Sequence, residues 1–169
     1  RDDKVALNQP NASSGSANQP PEKGRMIASI LIIEDNIFDA QILHARMKSQ
    51  WTEVTVARSL EDGLLQLQKK VPDVILLDVG LPGYPEPDDV IAAVKEVRNE
   101  MTAIVVVSGN DDPDAITRAL LAECSGWILK GRWELLALEV RACYDNHRHH
   151  VRRRQQNREI RARLEAQIR

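Results

Sequence analysis

Five polar residues that could do chemistry each follow a short apolar run of the sequence. Glu34 and Asp35 follow SILII, Asp78 follows DVILL, Ser108 follows AIVVV and Lys130 follows GWIL. Runs of this length and composition predict buried strands of a parallel sheet, whose carboxyl ends meet at one edge. We therefore expect three carboxylates, one hydroxyl and one ammonium group to converge at that edge.

Three neighbouring carboxylates repel one another and raise one another's pKa unless a cation compensates them. Mg²⁺ suits such a site, because it binds oxygen and usually takes one or two carboxylates together with phosphate oxygens. A hydroxyl and a fixed positive charge are the groups that a phosphoryl group requires. The set predicts Mg²⁺-assisted phosphoryl chemistry in which one carboxylate is the nucleophile, and Asp78, at the end of the predicted central strand, is best placed for it.

These residues need a scaffold in which short strands alternate with amphipathic helices. The predicted strands cover residues 29–33, 53–57, 73–77, 103–107 and 126–129. The predicted helices cover residues 38–50, 60–70, 88–100 and 113–123, and a fifth helix begins near Arg132. This alternation predicts a doubly wound α/β fold, (βα)₅, with a parallel five-stranded sheet covered on both faces.

The sequence after Gly131 contains no glycine or proline, so the fifth helix can continue to the end of the chain. We expect its first part to pack on the sheet through an apolar stripe formed by Leu135, Leu138 and Ala142. Later apolar residues are sparse. This predicts that residues 145–169 project as a coiled-coil or signalling helix, which can pair with a second copy of the chain.

The composition of the chain predicts one domain with tails. The chain has 169 residues and is 43% hydrophobic, which is enough for a single core. Residues 1–27 are rich in Asn, Ser, Gly, Pro and Gln and predict a disordered leader or linker, so the domain covers residues 28–144. Residues 30–130 carry 9 basic and 17 acidic groups, whereas residues 131–169 carry 10 and 5.

Several classes of partner are not expected from the sequence. No apolar run approaches the roughly 20 residues that span a bilayer, so we expect no membrane partner. The arginine-rich tail has no interleaved aromatic residues and contains Glu159 and Glu165, which makes nucleic-acid binding an unlikely function. The two cysteines, Cys124 and Cys143, form no CxxC pair, and the sequence shows no secretory segment. A reducing cytoplasm is therefore expected.

The motifs resemble, in order and spacing, the receiver domain of bacterial two-component response regulators over roughly residues 28–144. ILIIEDN resembles the first strand of that family with its acidic pair, and VILLDVGLPG resembles its phosphoacceptor strand. VVVSGN and GWILK resemble the segments with the switch hydroxyl and the lysine. The intervals between Asp35, Asp78, Ser108 and Lys130 are 43, 30 and 22 residues, which fit the family.

The resemblance implies a flavodoxin-like strand order, 2-1-3-4-5, and a regulatory rather than an enzymatic protein. Asp78 would accept a phosphoryl group from a sensor histidine kinase or a phosphotransfer protein. Mg²⁺ would be held by four ligands: Glu34, Asp35, Asp78 and the backbone carbonyl of Gly80.

The resemblance also implies that Ser108 and Lys130 bind the phosphoryl oxygens. Ser108 and Trp127 would form the switch pair, although the family usually has Tyr or Phe where Trp127 stands. Gly131 replaces the proline that usually follows the lysine, and the loop YPEPDD replaces a glycine-containing turn.

Four alternatives remain open. Glu34 and Asp35 could cap the following helix rather than bind a metal. The chain could be a phosphohydrolase of the haloacid-dehalogenase type, although that class needs a second aspartate where Gly80 stands. It could also be an interaction module that works through its basic helix alone, and His147, His149 and His150 could form a metal or phosphorelay site.

Overall fold

The computed structural model describes residues 28–168, so the predicted leader or linker at residues 1–27 lies outside the described part of the chain. Five parallel strands form one sheet in the order β2-β1-β3-β4-β5, which confirms the predicted topology. Their bounds are β1 Ser29–Ile33, β2 Glu53–Ala57, β3 Val74–Leu77, β4 Ala103–Ser108 and β5 Gly126–Leu129. Each lies within one residue of its predicted range, because short apolar runs mark buried parallel strands clearly.

Five helices connect and follow the strands. Their bounds are α1 Ile37–Lys48, α2 Leu60–Lys69, α3 Pro87–Val97, α4 Pro113–Leu121 and α5 Leu136–Ile168. Local capping chemistry fixes where they begin. Asp112 accepts hydrogen bonds from the N–H groups of Asp114 and Ala115 ahead of Pro113, and Ser59 accepts one from Asp62.

The sheet separates two apolar layers, because successive strand residues point to opposite faces. One layer packs strand residues such as Ile75 and Ile104 against α2, α3 and α4. The other packs residues such as Ile32 and Leu76 against α1 and the first half of α5. Both faces are covered, so the strands are held in fixed register and their carboxyl ends form one rigid edge.

The predicted packing stripe of α5 is wrong. Leu138 is 64% exposed and Ala142 is also exposed, whereas the side chains that pack on the sheet are those of Leu136, Val140 and Tyr144. The helix begins at residue 136, after a turn, and it meets the sheet through residues four apart. Tyr144 completes this layer with an edge-to-face contact to Trp51, with 5.5 Å between ring centroids.

Beyond Tyr144, α5 keeps contact with the domain at Val151 and Arg158, but its second half is exposed. Val151 is fully buried, and Arg158 forms an ion pair with Glu100, in the loop before β4, at 3.3 Å. From residue 152 to residue 168 every side chain is exposed. A helix of this kind cannot be stabilised by burial in its own domain along its last turns.

Candidate functional site

The acidic pair lies in the loop between β1 and α1, at the carboxyl edge of the sheet. Asn36, and not Glu34 or Asp35, is the N-cap of α1, because its side chain accepts hydrogen bonds from the N–H groups of Phe38 and Asp39. The alternative in which the acidic pair caps this helix is therefore wrong. The carboxylates of Glu34 and Asp35 are left available to the site.

Arg58 holds the backbone of the acidic pair from the neighbouring strand. Its Nε donates to the carbonyl of Glu34 at 3.2 Å, and its Nη2 donates to the carbonyl of Asp35 at 2.6 Å. Arg58 directly follows β2, so the end of the edge strand fixes the loop that carries both carboxylates. Arg58 is a site residue that the sequence analysis missed, although its position directly after a predicted strand is a signal that places it at this edge.

Asp78 directly follows β3 and is nearly buried, with 8% of its surface exposed. Its backbone N–H bonds to the carbonyl of Ile33, which ties the end of β3 to the end of β1. Its Oδ1 accepts a hydrogen bond from the N–H of Gly80 at 3.0 Å, so the turn after the strand orients the carboxylate. Its second oxygen, Oδ2, lies on the side of Lys130.

Glu34, Asp35 and Asp78 form the cluster that the sequence predicted. One carboxylate oxygen of each lies within 4.8 Å of the other two. Burial raises the pKa of Glu34 to about 7 against the hydrogen bond from Lys130, and the nearby Asp78 raises it further. Glu34 Oε2 is buried and faces the ammonium of Lys130. Three converging carboxylate oxygens, one of them buried, fit a hard divalent cation.

Lys130 directly follows β5 and brings a single ammonium group to this cluster. Its Nζ lies 2.8 Å from Glu34 Oε2, 2.8 Å from Asp39 Oδ2 and 3.7 Å from Asp78 Oδ2. Burial lowers the pKa of the Lys130 ammonium, but the hydrogen bonds to Asp39 and Glu34 outweigh it and hold the pKa above its usual range. Lys130 is therefore fixed as a cation.

Asp39 is a site residue that sequence reasoning missed. It lies in the first turn of α1, and its contact with Lys130 spans 91 residues of sequence. An acidic residue in a first helical turn is common, because it compensates the helix dipole, so nothing marked this one. Its proximity to Lys130 follows only from the fold, which brings the first turn of α1 and the residue after β5 to the same edge of the sheet.

Ser108 and Trp127, the predicted switch pair, are connected through one loop residue. The Ser108 side chain is nearly buried, and its Oγ accepts a hydrogen bond from the N–H of Asn110 at 3.1 Å. The indole Nε1 of Trp127 donates to the carbonyl of the same Asn110 at 3.2 Å. The loop between β4 and α4 therefore contacts both residues. The ring of Trp127 is half-buried against the layer formed with α2, α3 and α4.

The three histidines of α5 do not gather into a site. His147 alone is involved in buried contacts, with Nδ1 3.1 Å from Ser125 Oγ and Nε2 2.9 Å from the carbonyl of Glu100. Within residues 28–168, the only group of His, Cys, Asp and Glu arranged to hold a metal is the acidic cluster. Among these residues, no helix is long and apolar enough to cross a membrane.

Comparison with known proteins agrees with this geometry. Over 90 residues the chain is 34% identical to the transcriptional regulatory protein AfsQ1 of Streptomyces coelicolor, which covers 52% of this chain and 38% of that protein. Over 96 residues it is 32% identical to the transcriptional regulatory protein KdpE of Staphylococcus aureus, covering 56% and 40%. The chain thus spans about two fifths of the length of these relatives.

Solved receiver domains and a family model also match this chain. A CheY-like receiver domain protein from Methanospirillum hungatei matches 74% of this chain and 99% of its own, with a TM-score of 0.65 and 18% identity. The BeF₃-activated DrrB receiver domain matches 71% and 99%, with a TM-score of 0.62 and 20% identity. Residues 30–138 match the model of the response regulator receiver domain. The chain therefore belongs to the response regulator receiver domain family.

Proposed function

We propose that Asp78 accepts a phosphoryl group from a sensor histidine kinase or a phosphotransfer protein. The observation that carries this proposal is the position of the Asp78 carboxylate, between an acidic cluster and the ammonium of Lys130. In the transfer, an Asp78 carboxylate oxygen forms a bond to phosphorus. The bond from phosphorus to the donor nitrogen breaks, and its electron pair stays on the donor imidazole.

The same site would use Mg²⁺, held by Glu34, Asp35, Asp78 and the backbone carbonyl of Gly80. When bound, the ion would neutralise the charge that builds up between the carboxylates and the phosphoryl oxygens. The fit rests on the three carboxylate oxygens that converge within 4.8 Å of one another. Arg58 would keep the loop of the acidic pair in place while the ion enters.

Lys130 and Ser108 would then bind the new phosphoryl oxygens. Lys130 is a fixed cation next to Asp78, and Ser108 ends the neighbouring strand β4 with its hydroxyl at the same edge. A turn of the Ser108 hydroxyl toward the phosphoryl group would disturb its contact with Asn110, which also holds Trp127. This shared contact supports Ser108 and Trp127 as the switch pair.

The signal would leave the domain along α5, toward a second copy of the chain. Residues 152–168 are exposed, and Ile160, Leu164 and Ile168 lie four residues apart, on one face of the helix. A stripe of this kind gains stability when it packs against a partner helix. The domain would act as a regulatory phosphoacceptor in the cytoplasm, where Cys124 and Cys143 remain the free thiols seen in the structure.

Acetyl phosphate with Mg²⁺ tests the proposal, because it supplies a phosphoryl group without a kinase. By intact mass spectrometry, the wild type should gain one phosphoryl group that is lost on mild alkaline treatment. Asp78→Asn should gain none, because an amide is not a nucleophile toward phosphorus. Equal labelling of both proteins, or no labelling of either, would contradict the proposal. Steady release of phosphate from a small phosphomonoester would support the phosphohydrolase instead.

A further inference from the structure

One ammonium group is shared among three carboxylates at the carboxyl edge of the sheet. Lys130 Nζ lies equally close, at 2.8 Å, to Glu34 and to Asp39, but 3.7 Å from Asp78. The contact with Asp39 has the geometry of a hydrogen bond. The lysine therefore lies nearer to Asp39 than to the residue on which the phosphoryl group would form.

The carboxylate of Asp39 is neither the cap of α1 nor a member of the acidic cluster. The cap of α1 is supplied by Asn36, and Asp39 stands outside the cluster of three carboxylates that could hold a metal within the described residues. Its side chain is 26% exposed, so its ion pair with Lys130 is only partly screened by water. The Asp39 carboxylate therefore competes for the one cation of the site.

We propose that Asp39 is a positioning residue that holds Lys130 away from Asp78 until a phosphoryl group is present. The inference rests on the proposed function of Asp78. Transfer from acetyl phosphate forms a bond between an Asp78 oxygen and phosphorus. The bond from phosphorus to the acetyl oxygen breaks, and acetate leaves with its electron pair. Lys130 must approach the phosphoryl oxygens as this happens, and it must leave Asp39 to do so.

Asp39 thus has two effects: it slows the phosphorylation of Asp78, and it strengthens the binding of Mg²⁺ to the acidic cluster. With Lys130 drawn toward Asp39, the ammonium competes less with Mg²⁺ for the oxygens of Asp78. Without the Asp39 charge, Lys130 should move from its present 3.7 Å toward Asp78 Oδ2. That movement favours contact with a phosphoryl group and opposes binding of the metal. The two effects have opposite signs, which separates this role from a purely structural one.

The first test measures the rate of labelling by acetyl phosphate at saturating Mg²⁺. Asp39→Asn should be labelled roughly threefold to tenfold faster than the wild type, because the carboxylate that draws Lys130 away from Asp78 is lost. Asp39→Glu keeps the charge and should stay within about twofold of the wild type. Asp62→Asn makes the same change in the first turn of α2, where the carboxylate accepts a hydrogen bond from the neutral side chain of Gln66, and should have no effect. An unchanged or slower Asp39→Asn, or a faster Asp39→Glu, would overturn the proposal.

The second test needs no phosphorylation and uses Mg²⁺ alone. The Kd for Mg²⁺, measured by calorimetry, should rise roughly threefold or more in Asp39→Asn. The rise should largely disappear when the same change is made in Lys130→Met, because Asp39 acts through the lysine. An equal rise in both backgrounds would overturn the proposal. Failure of the wild type to take up phosphoryl would instead overturn the function proposed for Asp78, and the Mg²⁺ cycle would still decide the role of Asp39.

Discussion

Arg58 fixes the acidic pair through its backbone and makes no contact with the two carboxylates. Its two hydrogen bonds go to the carbonyl groups of Glu34 and Asp35, from a strand that contributes no carboxylate to the cluster. Contacts of this kind orient the metal ligands without touching the metal themselves. Their loss commonly weakens metal binding by about tenfold or more. The site therefore depends on the end of β2, as well as on β1, β3 and β5.

Removal of the Arg58 guanidinium should loosen the loop of the acidic pair. In Arg58→Ala the Kd for Mg²⁺ should rise by about tenfold, and the free energy of unfolding should fall by about 1 kcal/mol, because two hydrogen bonds to a charged donor are lost at a partly exposed site. Calorimetric titration and denaturant unfolding measure the two effects. The matched control is Arg46→Ala, which removes a guanidinium from the last turn of α1, at the end of the helix away from the acidic pair. This variant should leave the Mg²⁺ affinity unchanged. The same affinity in Arg58→Ala as in the wild type would contradict this role.

At the level of secondary structure, the strands were far more predictable than the contacts between distant residues. Each strand is a short apolar run with a polar residue after it, so both its position and the residue at its end follow from composition. The packed face of α5 was not predictable in the same way. Leu135 and Leu138 are as apolar as Leu136, and only the position of the first helical turn decides which of them meets the sheet.

The contacts of Asp39 and Arg58 were also outside the reach of sequence reasoning. Each depends on how α1 or β2 lies beside a strand that is distant in the sequence, with separations of 91 and 23 residues. Arg58 did give a signal, since it follows a strand and therefore lies at the carboxyl edge. Asp39 gave none, because first-turn acidic residues occur in many helices for electrostatic reasons alone.

His147 joins α5 to two loops and makes the attachment of this helix sensitive to pH. Its Nε2 must carry the proton that it donates to the carbonyl of Glu100, so Nδ1 accepts from the hydroxyl of Ser125. Burial lowers the pKa of His147 below its ordinary value of 6.5, against the hydrogen bond to Glu100, and the nearby charges of Arg98 and Arg154 lower it further. The folded protein therefore favours the neutral imidazole.

The free energy of unfolding should consequently fall as the pH is lowered below 6.5. Above that pH, His147 is neutral in both states and its contribution is complete. Between 6.5 and the lower pKa of the folded state, the unfolded chain takes up a proton that the folded chain does not, which stabilises the unfolded chain. Denaturant unfolding across this range should show a weaker pH dependence in His147→Gln. His149→Gln, on the exposed side of the same helix, should keep the wild-type dependence, and a wild-type profile in His147→Gln would contradict this account.

For the molecule as a whole, charge and exposure divide the chain into two parts. Residues 30–130 have 9 basic and 17 acidic groups, and residues 131–169 have 10 and 5. Ile160 follows the buried Val151 by nine residues, or about two and a half helical turns, so it lies on the opposite side of α5. The stripe of Ile160, Leu164 and Ile168 therefore faces away from the domain, where a partner helix can reach it.

Self-association through this stripe should increase when the domain is phosphorylated. With acetyl phosphate and Mg²⁺, the molar mass measured by light scattering should rise toward that of a dimer. The double variant Ile160→Glu and Leu164→Glu should remain a monomer, because the charges prevent burial of the stripe. The control, Ala162→Glu and Ala166→Glu, adds the same charges on another side of the helix and should dimerise like the wild type. A wild type that stays monomeric, or a stripe variant that dimerises, would refute this use of the helix.

The proposed function requires that the phosphoryl group forms on Asp78 itself. Borohydride reduces an aspartyl phosphate to the alcohol and leaves free carboxylates unchanged, so it records the site of phosphorylation in the peptide. After treatment with acetyl phosphate and Mg²⁺, peptide mass spectrometry should find homoserine at position 78 and intact carboxylates at Glu34, Asp35 and Asp39. Reduction at any other carboxylate, or none at Asp78 in a protein that carries the phosphoryl mass, would contradict the account.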